Sequence, residues 1–207
     1  MVISKIEKQK KNSKRVSLFV DGKFMCGIYE DTLIKYGLNR GDDISKETLN
    51  QLQNFDEYLY AKKVSYDLLS YRLRSIREIK DKLKAKKVSS HSIEKTINHL
   101  TELGLLNDEE FARQLIQSNI SYKPKGKSLI KQKLYQKGIS KQVAGKMLND
   151  IFSNINEKNL IIPIFEKYLK KLKTGDINIK KRKIFSYLAG KGFDFDIINE
   201  IIREKLS

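Results

Sequence analysis

One phrase occurs three times in this chain. KLKAKKVS at 82–89, KLYQKGIS at 133–140 and YLAGKGFD at 187–194 align with Leu83, Leu134 and Leu188 in register. A lysine follows three residues on (Lys86, Lys137, Lys191), an apolar residue five on (Val88, Ile139, Phe193), and then a helix-capping residue (Ser89, Ser140, Asp194). The leucines stand 51 and 54 residues apart, and self-similarity at that period marks repeated supersecondary units.

Helical periodicity identifies the unit. In the first copy a helix is predicted over about 56–72, with Leu59, Val64, Leu68 and Tyr71 near one face. A second is predicted over about 76–87 on Ile76, Ile79 and Leu83, and a third over about 90–103 on Ile93, Ile97, Leu100 and Leu103. Ser75 with Glu78 forms a capping box, and Asn107 with Glu110 a similar start. Gly104 suits a left-handed helix stop with apolar Leu105 behind it, and Gly138 and Gly192 do the same job where the first copy has Lys87. The repeated phrase is therefore the end of a second helix, its stop, and the cap of a third.

Residues 1–30 follow another rule. Val16–Val20 and Lys23–Ile28 flank Asp21-Gly22, a pair suited to a type I′ hairpin turn. The expected register sets Phe19 opposite Phe24 and Leu18 opposite Met25, and Ile3–Lys8 can supply a third strand. The expected fold is thus mainly α: three tandem three-helix repeats in an elongated array, with a small N-terminal β-hairpin or three-stranded sheet. The boundaries fall at 1–54 for the β-containing extension with short helices, then 55–106, 107–153 and 154–207 for the repeats. Pro163 is expected to interrupt the first helix of the third repeat.

Charge runs in phase with the repeat. Residues 72–87 hold eight Lys/Arg against two acids, 123–137 hold six lysines and no acid, and 167–183 hold eight basic residues against Asp176. Residues 1–15 add six basic residues and one acid, so the rest of a chain of net charge +17 is net negative. Lys86, Lys87 and Lys137 would complement helix dipoles in any protein. Mixed signs would solvate a helix face equally well, however, so a threefold recurrence points to a polyanionic partner such as nucleic acid or a nucleoprotein filament.

Other classes of function find little support. His91 and His99 lie eight residues apart, roughly 12 Å along a helix, too far to chelate one metal. Cys26 sits in a strand without a nearby histidine; it is the only cysteine, so no internal disulfide forms and a reducing, cytoplasmic setting is expected. Asp108-Glu109-Glu110 reads as acids in a first helical turn. Gly126-Lys127-Ser128 lacks the earlier glycine and the strand of a phosphate loop. No apolar run reaches membrane-spanning length, and no signal peptide opens the chain. No catalytic residue, cofactor or metal is expected, and the protein is expected to be a monomer away from membranes.

Three segments resemble the RecX regulators of RecA recombinase: LLSYRLRSIREIKDKL at 68–83, LTELGLLNDEEFA at 100–112, and KGKSLIKQKLYQKGI at 125–139. They stand in the family's order, the similarity covers most of the chain, and the longer members carry an extension like residues 1–50. The signature weakens in the third repeat, around Pro163. The resemblance implies a non-enzymatic modulator that lies in the groove of the RecA–single-stranded DNA filament, suppresses ATP hydrolysis and strand exchange, and favours disassembly. It implies a working surface of Arg72, Arg74, Arg77, Lys80, Lys82 and Lys84, with Lys125, Lys127, Lys131 and Lys133, and the basic run Lys180, Lys181, Arg182 and Lys183 of the third repeat. The isolated protein would bind single-stranded DNA weakly. The alternative is a sequence-nonspecific nucleic-acid-binding repeat protein with no protein partner, for which Tyr71, Tyr122, Tyr135 and Tyr168 would be stacking platforms beside the charges.

Overall fold

The computed structural model describes residues 1–10 and 12–206. Three strands come first: β1 (Ile3–Gln9), β2 (Asn12–Val20) and β3 (Lys23–Tyr29). Ten helices follow among the described residues: α1 (Glu30–Tyr36), α2 (Lys46–Tyr71), α3 (Ile76–Ala85), α4 (Ser90–Glu102), α5 (Asp108–Ser121), α6 (Lys127–Gln136), α7 (Lys141–Phe152), α8 (Glu157–Leu169), α9 (Ile177–Gly190) and α10 (Phe195–Lys205). The protein is mainly α, with α2–α4, α5–α7 and α8–α10 as the three-helix units behind an antiparallel sheet of order β1-β2-β3. The chain forms two compact units, Met1–Leu73 with Ile79–Leu105, and Arg74–Glu78 with Leu106–Ser207.

In the first unit the sheet alternates. Val16, Leu18 and Val20 of β2 point inward and are buried, and with Ile3, Ile28, Ile44, Leu49 and Leu52 they form the core beneath α1 and α2. The tight turn has positive φ at Asp21 and Gly22, as the Asp-Gly pair predicts. Phe19 does face Phe24, edge to face at 5.8 Å. Leu18 does not face Met25: a register shift after Leu18 sets it opposite Cys26. The bulge leaves Met25 as the extra residue, partly exposed, and keeps Leu18 fully buried. The helix expected from about 56 already begins at Lys46, where Ser45 Oγ accepts the Thr48 N–H at 3.0 Å. Asp56, buried in α2, ties sheet to helices. It accepts from the Tyr29 N–H at 2.5 Å, from Thr32 Oγ1 at 2.9 Å and from Arg15 Nη2 at 3.3 Å.

In the second unit the repeated phrase shows its structural use. Leu134 and Leu188 are fully buried, like Leu83 in the first unit, and Ser140 and Asp194 cap α7 and α10 as Ser89 caps α4. Gly138 and Gly192 have φ of +81° and +82°. The Gly126 N–H donates to the Lys191 carbonyl at 3.0 Å and the Ser128 N–H to the Gly192 carbonyl at 3.1 Å, so α6 starts against the stop of α9. A Cβ on Gly126 would collide with the Gly192 and Phe193 backbone, and one on Gly192 with Leu129. The same joint recurs one repeat earlier. Ser75 Oγ donates to the Lys137 carbonyl at 2.7 Å, Asp108 Oδ1 accepts the Ile76 N–H at 2.9 Å, and the Arg77 stem occupies the space a Gly138 side chain would need.

Pro163 does not break its helix. α8 runs through it from Glu157 to Leu169, and the buried Ile161 and Phe165 anchor it against Ile184, Leu188, Phe193 and Ile198. The proline forfeits one ladder bond, to the Asn159 carbonyl, and apolar burial on both sides outweighs that loss.

Candidate polyanion-binding surface

The basic residues singled out above take distinct places. In the first unit Lys82 and Lys84 project from α3 into solvent, whereas Lys80 is tied to Glu94 at 2.8 Å. Arg72 is exposed and its Nη1 donates to the Leu73 carbonyl at 2.7 Å. In the second unit Arg74 lies just before α3 and Arg77 in its first turn, and the Arg77 stem rests on Gly138. There Lys137 pairs with Glu78 at 2.7 Å, holding the joint.

Lys125 and Lys133 come together. Both ammonium groups donate to Asn119 Oδ1, at 2.9 and 2.8 Å. Contact with the Lys125 side chain, then burial, then the same neighbouring charge hold Lys133 down to about 8. Two cations on one neutral acceptor leave positive charge for an outside anion to neutralise. Asn119 was not foreseen, because nothing in the sequence marks an asparagine lying 6 and 14 residues from its two lysines.

Lys127 and Lys131 lie elsewhere, lining a hollow with Glu157, Asp194 and Asp196. Lys127 Nζ donates to Asn149 Oδ1 at 2.9 Å, and Lys131 lies 6.0 Å from the Tyr135 ring centroid. Burial pushes the Glu157 carboxyl up, while Lys127 opposes that shift. In α9 Arg182 and Lys183 are exposed and Lys180 and Lys181 half-buried. Among the described residues Lys82, Lys84, Lys125, Lys133, Arg182 and Lys183 pair with no carboxylate.

Cys26 and His99, two residues of catalytic type, are held among their neighbours. Burial pushes the Cys26 thiol up, away from the reactive thiolate. The His99 ring lies 3.1 Å from Tyr66 Oη and edge-on to Tyr58, a packing role. Among the described residues no group of three or more His, Cys, Asp or Glu is placed to hold a metal. None of the described helices is long and apolar enough to cross a membrane.

Family models cover the chain in order. The regulatory protein RecX N-terminal domain matches residues 1–45, and the first, second and third RecX three-helix domains match 61–100, 107–148 and 158–202. Regulatory protein RecX of Clostridioides difficile strain 630 is 30% identical over 206 residues, spanning 100% of this chain and 96% of that one. The chain belongs to the RecX family. Regulatory protein RecX of Staphylococcus aureus strain JH9 is 32% identical over 202 residues, 98% of this chain and 74% of its own. A crystal structure of regulatory protein RecX superposes with a TM-score of 0.76 at 25% identity, covering 99% of each chain. That of RecX from Lactobacillus salivarius gives 0.66 at 29% identity, over 72% of this chain and 96% of that one. The third RecX domain is matched across Pro163, where the sequence signature is weakest.

Proposed function

We propose that this RecX-family protein is a non-enzymatic negative regulator of RecA recombinase that acts in the cytoplasm. It binds along the groove of the RecA–single-stranded DNA filament, inhibits ATP hydrolysis and strand exchange, and shortens filament life. The observation that supports this most is the set of cations in and just before the second helices that pair with no carboxylate among the described residues, chiefly the Lys125–Lys133 pair on Asn119. Such charges are poised for the carboxylates or phosphates of a filament, and electrostatic complementarity of this kind directs partner choice and association rate. Lys80 is already paired and contributes less.

One observation favours a second reading, nucleic-acid binding without a protein partner: Tyr71 and Tyr122 are 85% and 86% exposed. Co-sedimentation separates the two. Retention of this protein by preformed RecA–DNA filaments, at salt that removes it from bare single-stranded DNA, is expected for the regulator. Equal salt sensitivity on filaments and bare strands would leave the regulator reading without support.

A further inference from the structure

A groove in the second unit, between the end of α5 and the flanks of α8 and α9, draws Lys123, Lys167 and Lys171 from two of the basic runs and none of the residues named for the working surface. It encloses about 690 Å³, within the range of ligand-sized clefts. Lys123, Lys167, Lys171 and Lys191 line it, and no Asp or Glu does. That separates it from the other large hollows. The one at Lys127 has three carboxylates, the one at Lys62 has Glu30, Asp31 and Asp67, and the one at Arg15 has Asp56 and Glu57. A smaller acid-free hollow at Lys35 and Lys95 has the Phe55 ring already covered, with the Lys35 ammonium 3.6 Å from its centroid.

The groove is also aromatic. Tyr168 and Tyr187 stack face to face at 3.9 Å with 10° between planes and the Lys191 ammonium lies 5.0 Å from the Tyr187 centroid, whereas the Tyr122 ring stands free in solvent at the rim. Pro163 lines the same groove with Asn159, the residue whose carbonyl it deprives of the helical i+4 donor. Flat rings and an apolar floor suit nucleobases, and dispersed lysines suit a phosphate backbone. A free nucleoside polyphosphate would call for donors converging on one point, and this lining includes no glycine-rich turn of that kind.

We infer that this groove binds a short segment of single-stranded nucleic acid, with a base stacked on Tyr122 and the backbone on Lys123, Lys167, Lys171 and Lys191. The inference deepens the nucleic-acid part of the proposed function and rests on it. The chain has no tryptophan, so Tyr122→Trp installs a single indole reporter at the rim. Oligothymidylate is expected to quench it saturably, whereas an abasic strand of equal length and thymidine monophosphate at equal base concentration are not. Tyr122→Ala is expected to weaken oligothymidylate binding about tenfold in anisotropy. Equal quenching by the abasic strand or by the mononucleotide would overturn the inference. So would unquenched indole fluorescence when anisotropy shows the strand bound. Inhibition of RecA ATPase by the unmodified protein is read separately: inhibition without indole quenching sinks the groove alone, and quenching without inhibition sinks the regulator alone.

Discussion

Lys125 and Lys133 sharing Asn119 Oδ1 carry a consequence in pH. The Lys133 ammonium is present below about 8 and lost above it, so an anion bound there loses its partner as pH rises. Single-stranded DNA affinity is expected to fall between pH 7 and 9. In Lys133→Arg, whose guanidinium stays charged, it should fall much less. Parallel pH profiles of the two proteins would remove the lysine pair from the binding surface. The sign for folding is opposite. A lysine pKa depressed in the folded state means that the unfolded chain holds more protons between about pH 8 and 10, so Lys133's contribution to stability improves through that window. Asp56 sets the other residue-scale test. Removing its carboxylate strands the Tyr29 N–H, Thr32 Oγ1 and Arg15, so Asp56→Ala is expected to cost about 2 kcal/mol in urea unfolding. A loss below roughly 0.5 kcal/mol, the level of an ordinary surface substitution, would show the cluster to be dispensable.

The elements divide into those legible in the sequence and those that were not. The leucine, stop and cap of the repeated phrase were legible, because burial of Leu83, Leu134 and Leu188 and the capping of α4, α7 and α10 are local consequences of helical periodicity. The early start of α2 was hidden, since its first two turns offer the sheet core only Leu49 and Leu52 among polar residues. The bulge at Leu18 was hidden because strand register is settled by burial across the sheet. Lys87 where the later copies have glycine also has a tertiary explanation. Gly138 meets Arg77 and Gly192 meets Leu129, while Lys87 adopts the same left-handed backbone at φ +61° with its side chain in solvent. The basic surface was legible as composition, yet the convergence of Lys125 with Lys133, and of Lys123, Lys167, Lys171 and Lys191 on one groove, depends on how helices pack. The joint gives an element-scale test. Gly126→Ala drives a methyl into the Gly192 backbone and is expected to destabilise by about 2 kcal/mol. Gly145→Ala, inside α7 with open space around it, is expected to stabilise by roughly 0.5–1 kcal/mol. Equal effects of the two substitutions in chemical denaturation would mean that the joint is not close-packed.

For the molecule as a whole, a net charge of +17 over 207 residues dominates encounter with any polyanion. Binding of the isolated protein to single-stranded DNA is expected to weaken steeply with salt, each phosphate contact adding roughly 0.7 to the slope of log affinity against log salt. Affinity unchanged between low and physiological salt would remove the electrostatic basis of the surface. Recurrence of the basic helix in every repeat suits a partner that itself repeats, and it makes inhibition of preformed filaments the decisive observation. RecA ATPase on single-stranded DNA should be started to steady state and then titrated with this protein. The comparison is a variant carrying Lys125→Glu and Lys133→Glu, with helical content checked by circular dichroism. Inhibition by the unmodified protein well below one molecule per RecA, lost in the folded variant, is the expected result. Steady-state hydrolysis that persists at equimolar protein, or a folded variant that inhibits at the unmodified dose, would contradict regulation of the filament through this basic face.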